Sequence, residues 1–176
     1  MSAVASAVVR LSDINVMSEV EFTATLGFVF ENSPWVAARA AAARPFADLG
    51  ALHRAMLAAL AATTAEEREA LIRAHPELAG KAAIAGELTA ESRSEQAGAG
   101  LDRLTPDEFT RFHDLNAAYG ARFGFPFVIC ARLAGKAAIL EAMARRLGNS
   151  REAEIGEAII QIGLIGRLRI QDAVAP

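Results

Sequence analysis

The chain has 176 residues, which suits one domain with a single substantial hydrophobic core. Its formal net charge is −3 and it has no block of Lys and Arg that would follow a phosphate backbone, so we expect no nucleic-acid partner. No uncharged apolar run approaches the roughly 18 residues of a membrane-spanning helix, no signal peptide is recognisable, and the single cysteine excludes an internal disulfide, so we expect a cytoplasmic protein without membrane contact.

The first half of the chain predicts four helices. A capping box at Ser18 and Glu21 opens the first, because each side chain satisfies the other residue's free backbone N–H. Ser33 caps the second, which has Pro34 in its first turn and must stop near Pro45. The third carries an apolar stripe of Leu52, Met56 and Leu60. The fourth begins at a capping box of Thr64 and Glu67 and ends at His75–Pro76.

The second half predicts further helices. The segment LTAESRSEQAGAGL (88–101) is capped by Thr89, and a cap, first-turn proline and box glutamate follow at Thr105, Pro106 and Glu108. The face of the latter helix comprises Phe109, Phe112, Asn116, Tyr119 and Phe123. One more helix runs from Gly135 to Gly148, and a last one, opened by Asn149 or Ser150, is about 30 Å long.

Alternating strand patterns are scarce, and we interpret FPFVICA (125–131) as a loop that runs into a buried helix. The sequence therefore predicts an all-α fold, a single-domain bundle of about seven to eight helices. This domain covers residues 1–176, with 1–12 as a loosely ordered lead.

His75 differs from the other two histidines because a proline follows it and forces the helix to stop. The last carbonyls of that helix favour a charged imidazolium, so His75 is a candidate for holding and delivering a proton. The alternative is a histidine that only caps the helix end. His53 and His113 have charged neighbours within helices, and we expect both to lie on solvated faces.

The segment ESRSEQAG (91–98) places three polar residues, Ser92, Glu95 and Gln96, on one helical face. A hydroxyl, a carboxylate and an amide together can bind a ligand rich in N–H and C=O groups. Arg93 and Ser94 point elsewhere on a regular helix, although backbone contacts remain possible. The alternative is an ordinary polar surface.

The segment RFGFPFVICARL (122–133) offers a third candidate site. Gly124 and Pro126 break the preceding helix, and backbone amides at the start of the next helix would be unsatisfied and able to bind an anion or a carbonyl. A buried core segment explains the same side chains. Cys130 has no adjacent base and is expected to be a small buried apolar residue. No metal-binding or phosphate-loop motif is present, so we expect neither a metal nor an organic cofactor.

Six segments follow one another along the chain: FENSPW (30–35), RPF (44–46), HPELAGK (75–81), LTAESRSEQAGAGL (88–101), LNAAYGARFGFPFVICAR (115–132) and RRLGNSREAEIGEAIIQIGLIGRLRI (145–170). Together, in this order, they resemble the family of 2-oxo-4-hydroxy-4-carboxy-5-ureidoimidazoline (OHCU) decarboxylases, which act in urate breakdown. The resemblance covers nearly the whole chain beyond the lead, and the combination of motifs is more specific than any one of them.

The resemblance implies an all-helical fold, a homodimer, no cofactor, and conversion of the small molecule OHCU to (S)-allantoin and CO2. It implies that His75 and Glu95 are catalytic. It also implies the substrate-binding residues Pro76, Ser92, Arg93, Ser94, Glu95, Gln96, Phe127, Val128, Ile129, Cys130 and Ala131.

Under this hypothesis hydrogen bonds stabilise the charge that develops as CO2 leaves, and His75 supplies a proton to one face of the product. Glu95 orients the substrate or destabilises its carboxylate. Two alternatives stay open at this point. One is a helical interaction module without catalysis, which predicts an exposed apolar groove. The other is a related cofactor-free lyase or isomerase that acts on another ureide.

Overall fold

The computed structural model describes residues 8–176, and ten α-helices dominate this part of the chain. They are α1 (Leu11–Val16), α2 (Glu19–Leu26), α3 (Trp35–Ala40), α4 (Leu49–Ala61), α5 (Ala65–Arg73), α6 (Lys81–Ala85), α7 (Ala90–Gly98), α8 (Pro106–Phe123), α9 (Lys136–Arg146) and α10 (Arg151–Ala173). The prediction of an all-α fold is confirmed. The extra helices are α1 and α6, which have six and five residues and carry no side-chain cap. No helix in this part of the chain has the length and apolarity needed to cross a membrane.

The chain divides into two compact units, residues 1–68 with 163–176 and residues 69–162. In the first unit, strand β1 (Val9–Arg10) pairs in parallel with β2 (Val174–Ala175). The predicted lead at 1–12 includes residues 1–7, which lie outside the described residues. Residues 8–12 contain β1 and the start of α1.

A buried ion pair joins two of the quoted motifs within the first unit. Arg169, from α10, donates to Glu31 at 2.9 Å and to the carbonyl of Phe28 at 3.1 Å. Both charged side chains are almost fully buried, so each depends on the other for compensation. On the same stretch of α10, Gly166 lies against Phe30, and a Cβ at that position would come within 2.8 Å of the ring.

The helix-start signals hold because they depend only on neighbouring residues. The capping boxes at Ser18–Glu21, Thr64–Glu67 and Thr105–Glu108 all form, with reciprocal side-chain to backbone hydrogen bonds. Thr89 also caps its helix as expected. Pro34 is itself the N-cap of α3, so that helix starts one residue later than its signal suggests; it ends at Ala40 and continues as a 3-10 turn to Ala43, before Pro45.

The second unit is built around a cluster of aromatic rings from α8 and the segment after it. Tyr119 contacts Phe123, Phe125 and Phe127, with ring centroids 4.6 to 6.1 Å apart. Its hydroxyl donates to Glu154, which is completely buried. Burial, together with that hydrogen bond, raises the pKa of Tyr119.

Glu154 is held by three donors. Burial acts to raise its pKa, but hydrogen bonds from Arg146, Tyr119 and Asn149 outweigh burial and leave the pKa lowered. Arg146 also donates to the carbonyl of Val128 at 2.9 Å and lies over the ring of Phe127. The buried Arg146–Glu154 pair therefore fixes the backbone of the FPFVICA segment.

The expected α-helix after FPFVICA does not form, and this prediction is wrong. Residues 126–130 are irregular, and only a 3-10 turn at Ala131–Leu133 follows before α9. The physical reason is non-local. The backbone groups of this segment bind side chains of later helices, since Val128 is held by Arg146, and the amide of Cys130 donates to Gln161 at 3.0 Å.

Candidate functional site

His75 lies just beyond the end of α5, where its ring is buried with 7% exposure. Its backbone amide bonds the carbonyl of Ile72 at 3.1 Å, and Nδ1 lies 2.9 Å from the carbonyl of Leu71. A carbonyl can only accept, so Nδ1 carries the hydrogen. Nε2 is then the basic nitrogen of the neutral ring, and a proton can be exchanged there.

Residues 76–80, here called the His75 loop, connect that histidine to α6. Ala79 has a φ of +51°, a left-handed conformation that a residue with a side chain adopts only when its surroundings fix it. Gly80 is required by close approach, because a Cβ there would lie 2.5 Å from that of Glu77.

Helix α7 presents the predicted polar face toward the interior. Ser92 and Gln96 are buried and Glu95 is half-buried. Gln96 reaches the His75 loop, where its Oε1 accepts from the amide of Ala79 at 2.9 Å and its Nε2 donates to the carbonyl of Glu77 at 3.4 Å. The spacing of these residues thus leads to a buried, hydrogen-bonded face rather than a solvated one.

Arg93 and Ser94 are exposed on α7. The guanidinium of Arg93 donates to the carbonyls of Gly86 and Leu88, both at 3.1 Å, and its backbone amide bonds Thr89. These bonds tie the helix to the preceding loop. The side chains of Arg93 and Ser94 therefore do not share the face of Ser92 and Gln96.

The 127–131 segment supplies the third predicted element. Phe127, Val128, Cys130 and Ala131 are buried and Ile129 is half-buried. The amide of Cys130 is committed to Gln161, so it is not among the amides that could bind a ligand as first expected. The thiol is buried, as expected, and burial raises the pKa of Cys130.

Helix α7 is the element that brings these segments together. It packs against the 3-10 turn at Ala131–Leu133 on one side, and it holds the His75 loop through Gln96 on another. Burial is the main cause of the raised pKa of the Cys130 thiol, and the negative charge of Glu95 is near enough to raise that pKa further. HPELAGK, SxxEQ and residues 130–133, which are distant in sequence, are therefore neighbours in the second unit.

A surface cavity of about 320 Å³ lies next to this arrangement. Arg93 and Gln96 are the only predicted site residues in its wall, which is otherwise mainly apolar and includes Ile84, Leu88 and Phe109. His75, Ser92 and Glu95 do not line it, so this cavity is not the space on which the proposed catalytic groups converge. Among residues 8–176 no cluster of three or more His, Cys, Asp or Glu side chains has an arrangement that could hold a metal ion.

The two remaining histidines differ from each other. His113 is exposed, as expected, and stacks on Phe109. His53 is half-buried, and its Nε2 donates to the carbonyl of Gly163 at 2.8 Å. The expectation of a solvated face is therefore wrong for His53, because α10 packs against that face in the first unit.

Sequence reasoning missed three residues that hold the site segments. Asn116 donates to the carbonyl of Leu78, Arg146 to that of Val128, and Gln161 accepts from the amide of Cys130. A signal did exist for Asn116, since a polar residue in an apolar helical stripe must find a buried partner. The identity of that partner has no local signal.

Comparison with known proteins gives consistent results. A family model described as OHCU decarboxylase matches residues 15–171. A 2-oxo-4-hydroxy-4-carboxy-5-ureidoimidazoline decarboxylase from Amia calva is 42% identical over 164 residues, which are 93% of this chain and 94% of that protein. One of the same name from Halalkalicoccus jeotgali is 35% identical over 166 residues, 94% of this chain and 92% of that protein.

Among solved structures, one of an (S)-allantoin synthase matches with a TM-score of 0.74 and 26% identity. The match covers 95% of the present chain and 54% of the synthase chain, so the present chain spans about half the length of that protein.

Proposed function

The chain belongs to the OHCU decarboxylase family, and we propose that it is a carboxy-lyase that converts OHCU to (S)-allantoin and CO2 in urate degradation. The observation that carries this function is the family match over residues 15–171, with relatives of that name along nearly the whole chain. The gathering of three motif segments around α7 agrees with it.

The reaction needs little more than proton transfer and charge stabilisation. The bond between C4 and the carboxylate breaks, CO2 leaves, and the electron pair spreads from C4 into the adjoining conjugated part of the ring. The C4 hydroxyl loses its proton as it becomes a carbonyl, and the neighbouring carbon and a ring nitrogen each gain one. One proton is therefore taken up for each ionised carboxylate that is lost. Because the substrate carries its own electron sink, we propose that no metal or organic cofactor takes part.

We assign the acid–base role to His75, acting at Nε2, because the bond from Nδ1 to Leu71 orients the ring and fixes its tautomer. Delivery of a proton from one side would give a single enantiomer. We also assign a substrate contact to Pro76, the residue directly after His75.

We assign ligand contacts to α7 and to the 127–131 segment. Ser92 and Gln96 would bind polar groups of the substrate, and Glu95 would orient it or oppose its carboxylate. Side chains of 127–131 would form the wall, with backbone amides other than that of Cys130 directed at developing negative charge. For Arg93 and Ser94 we propose contacts through the backbone only, because their side chains are exposed.

We also propose that the protein is a cytoplasmic homodimer. Apolar side chains that a monomer would leave in water support the dimer. Ile84 is 69% exposed, Leu133 is 64% exposed, and Phe109 is 41% exposed, and two of these three line one cavity.

A coupled assay tests the function. OHCU is unstable, so it is generated in situ from urate by the two preceding enzymes, and allantoin is followed by circular dichroism. The proposal predicts rapid appearance of one enantiomer when the protein is added. Allantoin that appears at the uncatalysed rate, as a racemate, would show that the assignment is wrong.

A further inference from the structure

We propose that Asn116 is a positioning residue for the acid–base histidine and acts through the His75 loop. The inference rests on the proposed function, because it assigns to Asn116 a part in the same reaction. It concerns a residue whose sequence pattern indicates only a place on the buried face of α8.

The contact that motivates the proposal links α8 to a residue 38 positions earlier in the chain. Nδ2 of Asn116 donates to the carbonyl of Leu78 at 2.9 Å. Asn116 is 5% exposed and Leu78 is 7% exposed, so the bond is buried. A buried carbonyl without a hydrogen-bond donor costs free energy, because it has lost its bonds to water and gained none in return. The loop conformation that keeps the bond to Asn116 is therefore strongly favoured.

A second amide holds the same loop from α7. Gln96 binds the carbonyl of Glu77 and the amide of Ala79, one residue to either side of Leu78. Three consecutive residues of the loop are thus held by side chains from two different helices. This explains how Ala79 keeps its left-handed backbone conformation, which a non-glycine residue disfavours.

These contacts bear on His75 because the chain around it is anchored on both sides. Upstream, the imidazole and its backbone amide are bound to Leu71 and Ile72 in the last turn of α5. Downstream, only Pro76 and Glu77 separate His75 from the residue that Asn116 holds. A change in the loop would therefore alter the direction of Nε2, and a misplacement of about 1 Å at a catalytic group can cost on the order of a hundredfold in rate.

Core packing alone does not account for an asparagine here. Asn116 lies on a face of α8 whose other buried residues are Phe112, Tyr119 and Phe123. Its Oδ1 is buried and has no hydrogen-bond partner among residues 8–176, so the amide carries a desolvation cost that an apolar side chain would avoid. The donor bond to the His75 loop is the feature that a leucine could not reproduce.

The test compares wild type with three variants, Asn116→Asp, Asn116→Ser and Asn116→Leu, in the coupled assay. Each activity is divided by the fraction of the protein that is folded. The expected result is a kcat about 10 to 100 times lower, with a clearly smaller relative change in KM, because the His75 loop leads directly from the acid–base group and Pro76 is the only residue of the loop proposed to contact the substrate. Thr63→Val is the matched control. It removes another buried side-chain bond, from Thr63 to the carbonyl of Leu60, in the first unit, and should lower Tm without changing kcat.

Each other outcome counts against the proposal. Folded variants with wild-type kcat would make Asn116 a structural residue, as would failure of all three variants to fold. A raised KM at unchanged kcat would make it a substrate contact. Absence of turnover by wild type itself would instead remove the proposed function, so the two failures are distinguishable.

Discussion

Ser92 and Ser94 are two residues apart on α7, and their environments allow a direct comparison. Ser92 is buried on the face shared with Gln96, whereas Ser94 is exposed. If Ser92 binds the substrate, Ser92→Ala removes one hydrogen bond, for which about 0.5–1.5 kcal/mol is typical. We expect KM to rise up to about tenfold, since 1.4 kcal/mol corresponds to a factor of ten.

Ser94→Ala is the control for that substitution, with the same chemistry on the same helix. Its KM and kcat should match wild type in the coupled assay. Equal effects of the two substitutions would contradict the assignment of the buried face as the binding face. A larger effect at Ser94 would support the exposed side of α7 instead.

At the scale of single elements, α10 offers two glycines in opposite surroundings. A Cβ at Gly166 would lie 2.8 Å from the ring of Phe30, whereas a Cβ at Gly156 would have nothing within 4 Å. Replacement of a helical glycine by alanine favours the helix by about 1 kcal/mol where space allows. Gly156→Ala should therefore raise the free energy of unfolding by roughly that amount.

Gly166→Ala should do the reverse. Overpacking against Phe30 typically costs about 1–3 kcal/mol, which exceeds the gain in helix propensity. Urea denaturation followed by far-UV circular dichroism measures both free energies of unfolding. Stabilisation by Gly166→Ala would mean that α10 and Phe30 are not in the close contact described.

Elements were predictable from the sequence wherever a few neighbouring residues decide them. The capping boxes at Ser18–Glu21, Thr64–Glu67 and Thr105–Glu108 act over three residues, so their helices follow from local chemistry. For residues 126–133 the predicted loop is present but the predicted helix is not, because the conformation depends on Arg146 and Gln161, which are 18 and 31 positions away from the groups they bind. No periodicity in that segment carries this information.

The same distinction applies to the candidate site. The face shared by Ser92 and Gln96 follows from helical spacing, and the position of His75 follows from Pro76. The contacts that join the segments do not follow, since Gln96 and Asn116 bind a loop 17 to 38 positions earlier. The resemblance identified the segments as one site, whereas residue spacing alone left each with a structural alternative.

For the whole molecule, the proposed homodimer predicts a mass in solution of twice 18.6 kDa. Burial of exposed apolar side chains such as Ile84 and Leu133 would provide the driving force, so the dimer fraction should rise with protein concentration. Sedimentation velocity over a range of concentrations measures this mass. A single species at 18.6 kDa throughout that range would contradict the dimer.

The central claim for the whole molecule is that its turnover depends on proton exchange at His75, and His75→Asn tests it most directly. Asparagine can keep an N–H donor toward the carbonyl of Leu71, the bond that Nδ1 makes, but it cannot exchange a proton near neutral pH. With a far-UV spectrum and Tm close to wild type, the variant should show a kcat in the coupled assay about 10² to 10⁴ times lower. A folded His75→Asn protein that produces (S)-allantoin at nearly the wild-type rate would contradict the account.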